Sequence, residues 1–145
     1  MLELIIGVKG TGKTKQLIEL VNAALIDSNG VGLAAPQVGI LRRVVLVDTG
    51  EEILELINPT LIETDGEQTG AEGCLSVPGK YGLVTRPYYA KVRAQDRYGE
   101  WFEAEGEELI GRCFCHELDH LDGILYTSVM DRFLTEEELY GDEEE

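Results

Sequence analysis

The sequence is poor in basic residues and has no long hydrophobic run. Only 12 of its 145 residues are lysine or arginine, against 28 acidic residues, and the formal net charge is −16. A surface field of that sign repels phosphate backbones, so we expect no direct DNA binding. No run of eighteen apolar residues occurs, so we expect no membrane-spanning helix. The length suits one domain with a single core.

Cysteine is also scarce. The three cysteines, Cys74, Cys113 and Cys115, cannot all pair, and the last two lie too close in sequence for an ordinary bridge. A sparse, odd count is typical of a reducing compartment. The short apolar N-terminus is interrupted at once by Lys9 and Lys13 and carries no small-residue cleavage site. We therefore predict a cytoplasmic location.

What the sequence does contain is the patterning of an α+β fold. The spacing of apolar residues from Lys13 onward predicts an amphipathic helix that ends at Asn29-Gly30, with an apolar face of Leu17, Leu20, Val21, Ala24 and Leu25. Glu107 to Leu121 predicts a second helix, and we expect Gly79, Gly82 and Pro87 to interrupt the middle of the chain. We therefore predict short, mostly antiparallel strands packed around the second helix. The predicted strands are Val44–Val47, Ile53–Ile57 (ended by Asn58-Pro59), Lys91–Arg97 and Trp101–Ala104.

The strongest local signal is the HExxH pattern of His116–His120. Residues four apart on a helix share one face, so the imidazoles of His116 and His120 can bind one metal ion. Glu117 lies beside that face, close enough to exchange protons with water at the metal. These are the only two histidines of the chain, and they fall at the required spacing. The pattern therefore predicts a metal site.

Two histidines leave the metal short of a third protein ligand. Downstream stand the acidic residues Asp122 and Asp131, and upstream stands Cys74, flanked by glycine and followed by the turn-former Pro78. A thiolate with two imidazoles leaves one coordination position open for water, which is the pattern of a catalytic site. Such ligands suit zinc, iron, cobalt or nickel, so ligand type alone does not choose the metal.

Three motifs, taken together, resemble those of the peptide deformylase family. They are Gly30–Gln37 (GVGLAAPQ), Glu72–Ser76 (EGCLS) and His116–Gly123 (HELDHLDG), in the family's order. The resemblance extends from about residue 22 to about residue 133. The family usually has glutamine before the first histidine, where this chain has Cys115.

The resemblance implies an activity and a set of site residues. The expected reaction is metal-dependent hydrolysis of the formyl group from the N-terminal formyl-methionine of nascent proteins. The implied metal ligands are Cys74, His116 and His120, holding Fe²⁺ most naturally, with Zn²⁺, Ni²⁺ or Co²⁺ as replacements. Glu117 would transfer protons. The side-chain amide of Gln37 and the backbone N–H of Leu75 would stabilise the oxyanion.

The resemblance also suggests how the substrate binds. Gly30 and Gly32 lack a Cβ, so a peptide can approach this backbone and bond to it as an added strand. The methionine side chain would enter a pocket formed by Val31, Leu33, Leu109 and Cys113, unless these are simply core residues. A Glu72–Arg86 ion pair would hold the cysteine loop in place.

The N-terminus departs from the family pattern. Gly7–Thr14 (GVKGTGKT) fits the phosphate-binding loop GxxxxGK[ST], follows an apolar run and precedes a helix. We therefore predict three parts: an atypical segment over residues 1–21, a deformylase domain over 22–134, and an acidic tail over 135–145. The alternatives are a P-loop nucleotide-binding protein and an inactive deformylase-like binding module. We also expect a monomer, and weak transient ribosome contact because the acidic tail is repelled by RNA.

Overall fold

The fold contains two β-sheets with a central helix between them. A computed structural model describes the backbone of residues 12–28, 30–74 and 76–140, with side chains for 15–27, 30–74 and 76–139. The prediction of an α+β class is confirmed. In chain order the elements are α1 (Gly12–Ser28), β1 (Gly32–Ala34), a 3-10 turn (Ala35–Val38), β2 (Val44–Asp48), β3 (Ile53–Asp65), β4 (Gln68–Cys74), β5 (Val77–Arg86), β6 (Tyr89–Gln95), β7 (Trp101–Glu107), α2 (Leu109–Leu121), a second 3-10 turn (Tyr126–Ser128), β8 (Arg132–Phe133) and α3 (Glu136–Tyr140).

The larger sheet has the order β1-β2-β3-β6-β7, and each neighbouring pair is antiparallel. Strand β2 is apolar from Val44 to Val47 because both of its faces are covered there. Val45 and Val47 face α2, while Val44 and Leu46 pack with α1. The sheet therefore separates two apolar clusters.

Helix α1 forms where the apolar spacing predicted it. It buries Ile18, Val21 and Leu25 against the sheet, which is the three-and-four spacing of one helix face. Leu20, which the sequence placed on that face, is 62% exposed. The predicted helix end at Asn29 lies outside the described residues.

Strand β3 is much longer than predicted. We expected it to end at Asn58-Pro59, but it continues to Asp65. Asn58 adopts a φ of +52°, a conformation that asparagine tolerates better than most residues, and the pairing with β6 shifts register between Ile57 and Thr60. Proline lacks an N–H and is accommodated at such an irregularity, so the dipeptide makes a bulge and not a strand end.

The smaller sheet has the order β4-β5-β8 and was not predicted. Its hairpin runs through Gly79 and Gly82, where the sequence suggested an interruption. A Cβ at Gly82 would lie 2.6 Å from Met130 Sδ and 2.8 Å from Tyr126 Cε2. This glycine therefore makes room for the segment after α2 and does not break the strand.

Helix α2 lies between the two sheets and carries the HExxH residues. It begins at Leu109, two residues later than predicted, after Glu108 with a φ of +53°. Residues 111–118 are all buried, as is His120. Among the described residues, no helix has the length and apolar character needed to cross a bilayer.

Candidate metal centre

Three predicted ligand atoms meet at one point. Cys74 ends β4, while His116 and His120 lie one turn apart on α2. Cys74 Sγ is 3.2 Å from His120 Nε2, which is itself 3.2 Å from His116 Nε2. Candidate ligand atoms of the three residues all lie within 4.8 Å of one another. The structure thus brings the sulfur of Cys74 close to two imidazoles that lie more than forty residues later in the sequence.

This arrangement fits a divalent metal ion. Bonds of about 2.0–2.1 Å to nitrogen and about 2.3 Å to sulfur, at tetrahedral angles, separate ligand atoms by roughly 3.3–3.6 Å. The two observed separations of 3.2 Å are close to these values. Burial alone would raise the pKa of Cys74, but hydrogen bonds to His116 and His120 outweigh it and lower the pKa to about 5. A thiolate ligand is therefore favoured at neutral pH.

Glu72 orients the first histidine. His116 Nδ1 donates to Glu72 Oε1 at 2.8 Å, so Nε2 is the ring nitrogen that faces the other ligand atoms. The predicted pair with Arg86 is confirmed as a two-pronged contact, with Nε and Nη2 each 3.0 Å from a carboxylate oxygen. Arg86 also donates to Asp119 at 2.7 Å, a contact that the sequence did not suggest. Burial would raise the pKa of Glu72, but His116 and Arg86 lower it to about 2, so the carboxylate stays ionised.

Glu117 lies beside the ligands without joining them. It is 5% exposed, and its Oε1 has no hydrogen-bond partner among the described residues. Burial raises the pKa of Glu117 to about 7, which suits a group that must both accept and donate a proton near neutral pH. A buried carboxylate oxygen without a partner indicates that a further group belongs in this space.

Gly32 forms the wall facing Glu117. A Cβ there would lie 2.5 Å from Cys113 Sγ, 3.0 Å from Glu117 Cγ and 3.1 Å from Glu117 Oε2. The sequence suggested that this glycine admits substrate backbone. The structure adds that its missing side chain also makes room for Glu117 and Cys113.

Gln37 points its amide nitrogen at the cysteine. Its Oε1 accepts a hydrogen bond from Ala34 N at 2.9 Å, which fixes the orientation of the amide. Its Nε2 then donates to Cys74 Sγ at 3.2 Å. The amide N–H₂ group therefore faces the ligand cluster. Leu75, the other predicted oxyanion donor, lies outside the described residues.

The cluster opens into a cavity of about 530 Å³. Four of the five residues predicted to bind substrate line it, namely Val31, Gly32, Leu109 and Cys113. Leu33 does not line this cavity. It is fully buried in the cluster around α1, because successive residues of β1 face opposite sides of the sheet. Leu33 is therefore a core residue and not a pocket residue.

The helix-borne histidines, the thiolate and the buried carboxylate at the floor of a cavity define a metal-dependent hydrolase site. Comparison with known proteins narrows this class. A sequence model described as Polypeptide deformylase matches residues 6–136. The peptide deformylase of Lachnoclostridium phytofermentans is 55% identical over 138 residues, covering 93% of this chain and 85% of that protein. That of Agathobacter rectalis is 60% identical over 116 residues, covering 80% and 73%.

Solved structures agree. The class I type b peptide deformylase from Acinetobacter baumannii bound to K1U is 36% identical, with a TM-score of 0.81 over 84% of each chain. The Met-ala-ser-bound form is 32% identical, with a TM-score of 0.80 over 86% of this chain and 85% of that one. The chain belongs to the peptide deformylase family. It is an enzyme that removes the N-terminal formyl group from new proteins, and its family is metal-dependent.

The family match also covers the unusual N-terminus. It begins at residue 6 and so includes the phosphate-loop-like stretch Gly7–Thr14. Residues 1–11 and the side chains of 12–14 lie outside the described part of the chain. Neither the nucleotide-binding alternative nor the inactive binding module finds support in the comparisons.

The sequence patterns did not single out Arg112, a buried arginine at the site. Arg112 is 8% exposed, lines the cavity and donates to Glu72 Oε2 at 2.6 Å. Its position four residues before His116 was the available signal, because it places the two side chains on the same helix face. An arginine on an otherwise buried face of α2 requires a carboxylate partner.

Proposed function

We propose that Cys74, His116 and His120 hold one divalent cation, beside which Glu117 drives the hydrolysis of an N-terminal formamide. One observation carries this assignment. The sulfur and both Nε2 atoms converge next to a buried carboxylate whose oxygen has no partner among the described residues. When bound, the cation supplies Lewis acidity, which makes water nucleophilic at neutral pH and polarises the formyl carbonyl.

Glu117 transfers the proton in this proposal. Its carboxylate accepts a proton from the attacking water as the oxygen bonds to the formyl carbon. It then gives that proton to the leaving nitrogen as the C–N bond breaks. The products are formic acid, which releases its proton to become formate at neutral pH, and a free N-terminal amine, and the carboxylate returns to its starting state. The raised pKa of Glu117, about 7, suits both steps.

Two donors stabilise the oxygen that becomes negative. The fixed amide of Gln37 faces the ligand cluster, since its Oε1 is held by Ala34 N. The backbone N–H of Leu75 follows Cys74 directly in the chain and would supply the second donor. Donors that need no reorganisation during the reaction are worth most, and losing one typically costs about 3 kcal/mol.

The substrate peptide would bind as an additional strand. Strand β1 is at the edge of the five-stranded sheet, and Val31 and Gly32 line the cavity beside it. The methionine side chain would lie against Val31, Leu109 and Cys113. Burial raises the pKa of Cys113 well above its ordinary value, so its thiol is neutral and packs as a small apolar group. The Met-ala-ser-bound relative supports a peptide that begins with methionine.

The proposal extends to the identity of the metal, the location of the enzyme and its contact with the ribosome. We infer Fe²⁺ as the natural metal from the resemblance to peptide deformylases, and Zn²⁺, Ni²⁺ or Co²⁺ as substitutes because thiolate and imidazole accept all four. We also infer a cytoplasmic monomer that meets formylated nascent peptides with only weak contact to the ribosome. Elemental analysis of protein purified without oxygen tests the choice of metal. Salt-sensitive co-sedimentation with ribosomes that requires residues 135–145 would contradict the weak contact.

Formate release from formyl-Met-Ala-Ser tests the proposed function. The purified protein should release formate, lose this activity with a chelator, and recover it when Fe²⁺ or Ni²⁺ is restored without oxygen. Glu117→Gln should keep its metal but lose turnover, because an amide cannot accept the water proton. Glu103→Gln, on exposed β7 and paired with Lys91, is the matched control and should behave as wild type. Turnover by Glu117→Gln would remove Glu117 from the mechanism.

A further inference from the structure

A second arginine reaches the carboxylate that orients His116. Arg112 Nη1 donates to Glu72 Oε2 at 2.6 Å and to the carbonyl of Val84 at 3.2 Å. Arg112 and His116 lie one turn apart on α2 and meet opposite oxygens of the same side chain, Oε2 and Oε1. The contact therefore joins the helix that carries two ligands to both strands of the β4–β5 hairpin.

The four acceptor sites of Glu72 are all in use. Oε1 accepts from Arg86 Nη2 at 3.0 Å and from His116 Nδ1 at 2.8 Å. Oε2 accepts from Arg86 Nε at 3.0 Å and from Arg112 Nη1 at 2.6 Å. A carboxylate offers about four lone-pair sites. Removing Arg112 leaves one buried site without its donor.

Arg112 also balances charge. Arg86 is shared between two carboxylates, Glu72 and Asp119. One guanidinium cannot neutralise both, and Glu72 is 5% exposed, so solvent screens it little. Arg112 supplies the second positive charge directly at Glu72.

Gly70, on the strand that carries the cysteine ligand, leaves room for the side chain of Arg112. A Cβ at Gly70 of β4 would lie 3.2 Å from Arg112 Nη2. The guanidinium therefore packs against the backbone of β4 four residues before Cys74. A larger residue at position 70 would press on it.

We propose that Arg112 is a positioning residue for the metal site. It holds Glu72 and the β4–β5 hairpin against α2, and so sets the spacing between His116 and Cys74. This inference rests on the proposed function, since it concerns how the cation is retained. Arg112 acts through Glu72 and through the hairpin, not through contact with the three ligand atoms.

The test compares metal retention in cobalt-loaded variants. Loss of Co²⁺ to excess chelator is followed by the visible absorption of the cobalt–thiolate site. Arg112→Met should lose cobalt about 10- to 100-fold faster than wild type, the usual effect of removing an outer partner. Arg112→Lys keeps the positive charge but loses the planar guanidinium with its several donors. Its rate of cobalt loss should lie between those of Arg112→Met and wild type. Because Arg112 also lines the cavity, the KM for formyl-Met-Ala-Ser is measured alongside, and cobalt retention, not KM, decides the proposal.

The matched control removes a similar pair elsewhere. Arg97 makes a two-pronged contact with Glu55 at 2.9 and 2.6 Å, and Arg97→Met should retain cobalt as wild type does. Retention by Arg112→Met equal to that of Arg97→Met would overturn the proposal. So would a raised KM with normal retention, which would make Arg112 a substrate contact.

A second variant tests the proposal if Arg112→Met folds poorly. Gly70→Ala would place a methyl 3.2 Å from Arg112 Nη2, which shifts the guanidinium by a few tenths of an ångström without removing its charge, so cobalt loss should be faster than in wild type. Unchanged retention in a folded Gly70→Ala protein would count against the proposal. Cobalt retention requires no turnover. Absence of formate release by the wild type would therefore refute the proposed function and leave this comparison intact.

Discussion

Gly32→Ala is the substitution whose effect the structure defines most sharply. The new methyl would lie 2.5 Å from Cys113 Sγ and 3.0–3.1 Å from two atoms of Glu117. Optimal non-bonded separations are about 3.5–4.0 Å, so the overlap with sulfur is about 1 Å. Overpacking of this kind typically costs about 1–3 kcal/mol of folding stability. The contacts with Glu117 fall short of the optimum by only about 0.5–1 Å, and a misplacement of about 1 Å at a reacting group can cost roughly 100-fold in rate.

The assay measures both quantities on the same proteins. We expect kcat for formyl-Met-Ala-Ser to fall by roughly 100-fold, which corresponds to about 2.7 kcal/mol in the barrier. Urea unfolding should give a free energy lower by about 1–3 kcal/mol. Cys113→Ala is the control, because it removes the nearest clashing atom and leaves Gly32 unchanged.

The double variant separates the two contacts. Gly32→Ala with Cys113→Ala relieves the overlap with sulfur, so much of the lost stability should return. The contacts with Glu117 remain, so kcat should stay low. Wild-type kcat and unfolding free energy in Gly32→Ala would refute the reasoning. Full recovery of kcat in the double variant would show that the loss came from the overlap with Cys113 and not from the direct contacts with Glu117.

Three further changes test separate parts of the site. Cys74→Ser replaces a thiolate with a weak ligand, so the metal content measured by elemental analysis should fall, and unchanged content would remove Cys74 from the ligand set. Gln37→Leu should lower kcat by about 100-fold with little change in KM, since the amide acts only on the developing charge, and an unaltered kcat would contradict that role. Mg-ATP should leave the Tm unchanged, whereas an increase that vanishes in Lys13→Ala would support nucleotide binding.

Local patterns in the sequence were enough to locate α1, α2 and the metal-binding pair, but not α3, which forms where an acidic tail was predicted. His116 and His120 lie together because four residues make about one helical turn, a relation that depends only on neighbours in the chain. The same holds for α1 and for the apolar strand β2. The Glu72–Arg86 contact was also foreseen, although only because the surrounding motifs resemble those of a known family.

Features that depend on distant pairing were decided by the tertiary structure. The pairing of β4 with β5 carries Cys74 to α2, and neither strand shows the apolar alternation by which strands are recognised. The inward or outward position of Leu33 depends on which face of β1 meets α1. The role of Arg112 depends on α2 lying against the hairpin. A buried charge is stable only with a partner, and the fold places Glu72 of the hairpin beside Arg112.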